Sequence, residues 1–277
     1  MAITAITSPR DVSTTLNYYT PIGTEAPYYY VDTPPPDTPQ HNIGADTRPV
    51  IVHDVRDRES EYTLDKNGFQ WVRHVSAEKE FVDEEKVKRE YYPEVVELVR
   101  REVPGAKRVF IFDHTIRRGA KDEGPGKRGP VERVHVDQTF ESTIARVHDH
   151  LGPEAPRLLQ SRIRLINVWR PIQNPVYHKP LAVSDWNALD ITRDLIPSKR
   201  ISKERVGETF SVKYNPDHRW YYLSEQTPEE VTLIKCFDSE VDRARLTPHT
   251  AFTDSTSPED APLRQSIEVR CLVFDSE

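Results

Sequence analysis

The apolar residues of this chain follow three regimes. Up to about residue 50 they show no sustained period: Tyr28-Tyr29-Tyr30 precedes Pro34-Pro35-Pro36-Asp37-Thr38-Pro39, which predicts an extended arm (1–50) whose aromatic rings dock on a body formed by 51–277. Between Val82 and Val103 the apolar positions Val87, Tyr91, Val95, Leu98 and Val99 recur at helical spacing, and Pro93 suits a first helical turn. Two short helices, or one kinked helix closed by Pro104-Gly105, are expected there. Arg108 to His114 reads as a buried strand, the glycine-rich stretch Gly119 to Pro130 as a flexible loop, and Val131 to Asp137 as a second strand. Ile144, Val147, His148 and Leu151 then mark a helix face ended by Gly152-Pro153, and Arg157-Leu158-Leu159 belongs to a following helix. Beyond this point strands dominate: Arg162 to Trp169, Thr209 to Tyr214, Trp220 to Leu223, Val231 to Asp238 and Ser266 to Phe274.

Helices early and strands late, without βαβ alternation, disfavour a parallel sheet and predict a mainly β antiparallel barrel or sandwich with packed helices. The 277 residues suffice for one continuous core, and no repeat or composition break demands a second body domain. A net charge of -7, with acids and bases interleaved, gives no phosphate-tracking surface, so nucleic acid is not an expected partner. The one basic cluster, Arg117, Arg118, Lys121, Lys127 and Arg128, reads as a solvated loop. No apolar run approaches a membrane span, and the N-terminus lacks a secretory pattern. Two cysteines, Cys236 and Cys271, read as core residues of a reducing compartment, so a cytoplasmic protein is expected.

The local pattern that singles out chemistry is His135-Val136-Asp137. On a strand, side chains at i and i+2 leave the same face, so this imidazole and carboxylate converge as two ligands of one metal must. His249, in Thr247-Pro248-His249, is the available third ligand. Further on, Arg264, Ser266, Glu268 and Arg270 share one face of an alternating strand, while Ile267, Val269, Cys271 and Val273 share the other. A guanidinium fork and a hydroxyl two residues apart make a carboxylate clamp. Two imidazoles and one carboxylate leave coordination positions open, which favours non-heme Fe(II) over zinc, whose structural sites are closed by Cys and His.

His-x-Asp, a distal His and Arg-x-Ser, in that order, resemble the Fe(II)/2-oxoglutarate oxygenases. The stretches Phe112-Asp113-His114-Thr115-Ile116-Arg117-Arg118, Asn167-Val168-Trp169-Arg170-Pro171-Ile172, Asn215-Pro216-Asp217-His218-Arg219-Trp220-Tyr221-Tyr222 and Lys235-Cys236-Phe237-Asp238-Ser239 narrow this. Together they resemble the AsaB hydroxylase/desaturase family, which includes the fungal gibberellin desaturase and is similar to the cephamycin hydroxylase component CmcJ, from about Tyr28 to Phe274. The resemblance implies a double-stranded β-helix of the jelly-roll (cupin-like) type, Fe(II) held by His135, Asp137 and His249, and 2-oxoglutarate clamped by Arg264 and Ser266. It also implies O2 as oxidant, and hydroxylation, desaturation or ring closure of a small molecule in secondary metabolite biosynthesis. Asn167 is a candidate donor to the co-substrate, and Trp169, Arg170 and Arg117 are candidate substrate contacts. Arg270 lies too far along the strand to share the dicarboxylate with Arg264 and is expected to pair with an acid such as Glu268. His114, His148, His150, His178 and His218 lack ligand partners at fixed spacing and read as structural or exposed. The 119–130 loop is expected to close over a substrate carrying a carboxylate or several oxygens. A non-catalytic β-helix serving a partner enzyme, and a metal-dependent hydrolase on the same scaffold, are the alternative functions; oligomeric state is not legible.

Overall fold

The computed structural model describes residues 10–119 and 129–277; most of the expected 119–130 loop therefore lies outside the described residues. Strands pair into two sheets. The larger has the order β1 (Val12–Pro21), β3 (Ile43–Asp54), β11 (Trp220–Tyr222), β8 (Leu181–Ser184), β13 (His249–Ala251), β6 (His135–Val136), β10 (Val206–Val212), β9 (Leu195–Ile201) and β2 (Tyr28–Tyr30). The smaller runs β4 (Phe69–Arg73), β12 (Glu230–Asp238), β7 (Ile163–Pro171), β14 (Gln265–Phe274) and β5 (Arg108–Arg118). Pairing is antiparallel throughout except β11 with β3 and β2 with β9. Two curled sheets packed face to face form the antiparallel sandwich that the strand pattern predicted and the jelly roll that the resemblance implied.

Burial of both faces of the smaller sheet explains its composition. Along β7 and β14 one set of alternate residues, including Leu165, Trp169, Leu272 and Phe274, enters the core between the sheets with Val136, Val183 and Trp220 from the larger one. The other set, Ile166, Val168, Ile267, Val269, Cys271 and Val273, packs on Val95, Leu98 and Val99 of helix α2. That segment begins as α1 (Glu84–Lys86), capped by the Asp83 carboxylate, passes through a π-helical turn at Val87–Tyr91, and continues as α2 (Tyr92–Glu102) with Pro93 in its first turn. The kink expected near Pro93 is thus a widened turn, because proline has no N–H to close an ordinary one.

Residues 10–50 are extended but do not form an arm laid on the body. β1 and β3 pair over ten residues and build one end of the larger sheet, while β2 adds to β9 at the other. The boundary expected at residue 50 falls inside β3. Leu16, Tyr18 and Val52 reach the main core, although alternation in these strands is masked by Tyr, Thr and Pro. The expected strand from Val131 to Asp137 is reduced to β6 and a single bridge at Arg133, and β13 is only three residues long. Among the described residues no helix is long and apolar enough to cross a membrane.

Candidate metal centre and adjoining cavity

Three short connections converge on one point of the larger sheet. β13 pairs with β6 so that His249 lies directly opposite His135, and the ring centroids are 4.5 Å apart. Asp137 follows β6 on the same side as His135, as the i, i+2 parity requires. Its Oδ1 lies 3.4 Å from His135 Nε2 and 3.9 Å from His249 Nε2, and one donor atom from each of the three residues falls within 4.8 Å of the others. Both rings are oriented from behind: His135 Nδ1 contacts the Arg133 carbonyl at 2.7 Å and His249 Nδ1 the Thr247 carbonyl at 3.1 Å. Carbonyls only accept, so each Nδ1 carries the proton and each Nε2 lone pair is left for a cation. Gly68 sets the Thr247 segment. Its φ of +91° suits glycine, and a Cβ there would meet the Leu246 carbonyl at 2.9 Å.

The carboxylate is clamped as well. Asp137 Oδ2 accepts from Asn167 Nδ2 at 2.7 Å and from Arg270 Nε at 2.8 Å. Arg270 also donates through Nη2 to Glu268 at 2.6 Å and through Nη1 to Asp113 at 3.1 Å. Burial acts to raise the Asp137 pKa, yet Arg270 and the two imidazoles hold it well below the ordinary carboxylate range. Burial, and then the charge of His135, push His249 below its ordinary value, which keeps the ring neutral and able to ligate.

Arg264 is buried without a carboxylate partner among the described residues. Nη1 donates to the Lys179 carbonyl at 2.7 Å, the guanidinium lies 5.4 Å over the Trp169 ring, and Nε has no acceptor. Burial, assisted by nearby Arg117, pushes its pKa down to about 9. A cation held in this way fits an incoming carboxylate. Ser266, also buried, lies opposite Arg117 in the β14–β5 pairing. Arg117 donates to the Gly129 carbonyl at 2.8 Å and lines a cavity of about 370 Å³ that also contains His135 and Asp137.

Other expected site residues are placed differently. Asn167 faces the cluster, but both its amide hydrogens are engaged, by Asp137 and by Glu268 at 3.1 Å, which leaves neither to donate to a co-substrate. Arg170 was expected beside Trp169 as a substrate contact, yet neighbouring residues of a strand point to opposite faces. It donates to His74 Nδ1 at 2.7 Å and lies 5.4 Å over the Tyr91 ring on the helix side. Arg270 pairs with Glu268 as expected, and additionally with Asp137. His218 is structural, held between Asp194 and Tyr18. Lys235, from another of the family-like stretches, is buried against Asp65 and Asp238. Arg133, Arg146 and Arg200, which no sequence motif singled out, line the same cavity, as does Tyr29, expected only as a docking aromatic of the arm. For Arg133 a signal existed, since it stands two residues before His135.

Residues 16–274 match the family described as an oxidoreductase/YMDC permease-like domain. The hydroxylase/desaturase efuI of Hormonema carpetanum is 35% identical over 300 residues, covering 98% of this chain and 97% of that protein. The Fe(II)/2-oxoglutarate-dependent dioxygenase nvfI of Aspergillus novofumigatus is 36% identical over 263 residues, 91% of this chain and 92% of its own length. The solved structure of the iron and alpha-ketoglutarate-dependent endoperoxidase NvfI superimposes with a TM-score of 0.87 at 34% identity, over 96% of this chain and 99% of that one. The hydroxylase/desaturase asaB of Aspergillus flavus, to whose family the sequence motifs pointed, is 30% identical over 244 residues, 83% of this chain and 81% of that protein.

Proposed function

Because this chain belongs to the hydroxylase/desaturase family of Fe(II)/2-oxoglutarate-dependent dioxygenases, we propose that His135, Asp137 and His249 are its iron ligands and that Arg264 with Ser266 anchors the co-substrate. The protein is an iron- and 2-oxoglutarate-dependent oxygenase of fungal secondary-metabolite type, acting on a small molecule with O2 as oxidant. The observation that carries the residue assignment is a buried guanidinium without a counter-ion among the described residues, in the same jelly roll as a three-donor cluster. When bound, iron and 2-oxoglutarate supply the oxidising power for attack on an unactivated C–H bond.

The chain's own residues bind, orient and exclude water. The Arg133 and Thr247 carbonyls hold the proton on Nδ1 of each imidazole, while Asn167 and Arg270 hold one oxygen of Asp137 and turn the other toward the histidines. Arg264 receives the distal carboxylate of 2-oxoglutarate, with Trp169 stacked beneath it. Arg117 lines the space for a substrate bearing a carboxylate or several oxygens, whereas Trp169 lies outside that lining, against Arg264. Free, buried Cys236 and Cys271 support a reducing, cytoplasmic setting. Succinate formation from 2-oxoglutarate with Fe(II) and O2 tests the assignment. Asp137→Ala and His249→Ala are expected to abolish it; an unchanged rate in either would remove that ligand.

A further inference from the structure

The cavity beside the cluster is far more basic than a chain of net charge -7 leads one to expect. Arg133 precedes β6, Arg146 projects from helix α3 (Phe140–Leu151), and Arg200 lies on β9, so three separate elements aim guanidinium groups at one space. Among the described residues none of the three has a carboxylate partner at salt-bridge distance, whereas the cavity's Arg270 is neutralised by Asp137, Glu268 and Asp113. Aromatic faces take the place of anions: Arg133 lies 5.3 Å over the Tyr29 ring and Arg146 4.4 Å over that of Phe112. Among the described residues the buried Nε atoms of Arg133 and Arg146 have no acceptor, and the one side-chain polar contact of Arg146 is His150 at 3.4 Å.

This arrangement is costly for the free protein. Burial, followed by repulsion from Arg205, Arg270 and Arg200 that outweighs the attraction of Asp113, pushes the Arg146 pKa down to about 10. Surface charge runs that serve only solubility do not lose their hydration in this way. Half-buried cations that converge next to a reaction centre without a carboxylate partner are stabilised by an anion that arrives from outside. Arg264 already provides for the co-substrate's distal carboxylate, so the second basic cluster has another ligand.

We propose that Arg133, Arg146 and Arg200 bind a carboxylate of the organic substrate and thereby hold its reacting carbon against the His135–Asp137–His249 cluster. The inference rests on the oxygenase reading above and narrows its substrate class to carboxylic acids small enough for a cavity of about 370 Å³. Tyr29, half-buried between Arg133 and Arg200, presents its ring as an apolar wall beside the anion.

The test uses the full chain loaded with Fe(II) and 2-oxoglutarate under nitrogen, titrated by calorimetry with 1-adamantanecarboxylate and with its neutral isostere 1-adamantanecarboxamide. The carboxylate is expected to bind at least tenfold more tightly. Arg133→Gln, Arg146→Gln and Arg200→Gln should each cost it fivefold or more while leaving the amide unaffected. Because these side chains lack carboxylate partners among the described residues, Arg146→Gln is also expected to melt at the same or a higher temperature than the parent, whereas a structural role would lower it. A carboxylate that binds no better than the amide, whether both bind or neither does, overturns the proposal. Variants that weaken 2-oxoglutarate instead of the probe overturn it too, by assigning the arginines to the co-substrate. Succinate formation reports separately on the oxygenase reading: intact turnover with charge-blind probe binding removes only the anion site, and charge-selective binding without turnover removes only the oxygenase assignment.

Discussion

Replacing Arg270 by methionine separates the stability of the site from its chemistry. Arg270 donates to Asp137 at 2.8 Å, to Glu268 at 2.6 Å, and to Asp113 and Thr115 at 3.1 Å, and it is largely buried. Arg270→Met keeps the bulk of the stem but leaves the Asp137 and Glu268 carboxylates facing each other without a cation. Breaking a buried pair in this way costs about 3–5 kcal/mol. For a chain of this size that corresponds to a melting temperature roughly 6–20 °C lower, at about 2–4 °C per kcal/mol. Since Asp137 would also lose one of the two donors that fix its second oxygen, metal affinity should fall about 10- to 100-fold. Thermal melts of the metal-free protein, with and without Mn(II), provide the assay. The metal should recover part of the loss by sitting beside Asp137, and Glu268→Gln in the Arg270→Met background should recover another part by removing one unpaired charge. A metal-free Arg270→Met protein that melts within about 1 kcal/mol of the parent and binds Mn(II) equally well would refute the reasoning, leaving Asn167 as the residue that positions Asp137.

Arg264→Ala should leave the fold intact but raise the KM for 2-oxoglutarate about 10- to 150-fold, the equivalent of about 1.5–3 kcal/mol for a charge-assisted hydrogen bond; an unchanged KM would reassign the clamp. Arg170→Met should lower stability through loss of its contacts with His74 and Tyr91 while succinate formation per folded molecule stays constant, as activity corrected for soluble protein will show. Gly68→Ala should destabilise by more than about 1 kcal/mol and weaken metal binding, because the added Cβ presses on the segment whose Thr247 carbonyl orients His249; an unaltered Co(II) titration would exclude that coupling. As for pH, burial and His135 hold His249 below its ordinary value of 6.5. Its neutral form therefore persists on acidification, and in the metal-free protein the NMR titration of the His249 ring should be centred below pH 6.5; a midpoint at or above 6.5 would count against the depressed value.

How much of this was legible before folding depends on the range of the information. In β14 the alternation of Ser266, Glu268 and Arg270 with Ile267, Val269 and Cys271 follows from the pleat alone, and the structure keeps that division with both faces covered. The convergence of His135 and Asp137 is a two-residue property of the same pleat. By that rule Trp169 and Arg170 could not share a pocket, and Arg133 stood on the side of His135; both were readable and pass unnoticed when motifs are taken as blocks. Parity, however, says which residues share a face without saying which face is inside. Only the packing of the smaller sheet between two cores turns Asn167 toward Asp137 and Arg170 toward His74.

Short strands carried still less. β6 and β13 have too few residues for a period to exist, so their existence is decided by the register that sets His249 opposite His135. β1, β2 and β3 are extended by neighbours distant in sequence, and their Tyr, Thr and Pro content hides which side is buried. The gathering of Arg133, Arg146 and Arg200 is wholly tertiary: a bridge, a helix and a strand each contribute one cation, and no local pattern links them. Sequence alone determined the residue types and faces that chemistry requires, because those follow from backbone geometry over two to four residues. The tertiary structure decided which faces meet, because strand pairing and core burial act across the whole chain and select among local arrangements that backbone geometry leaves equal.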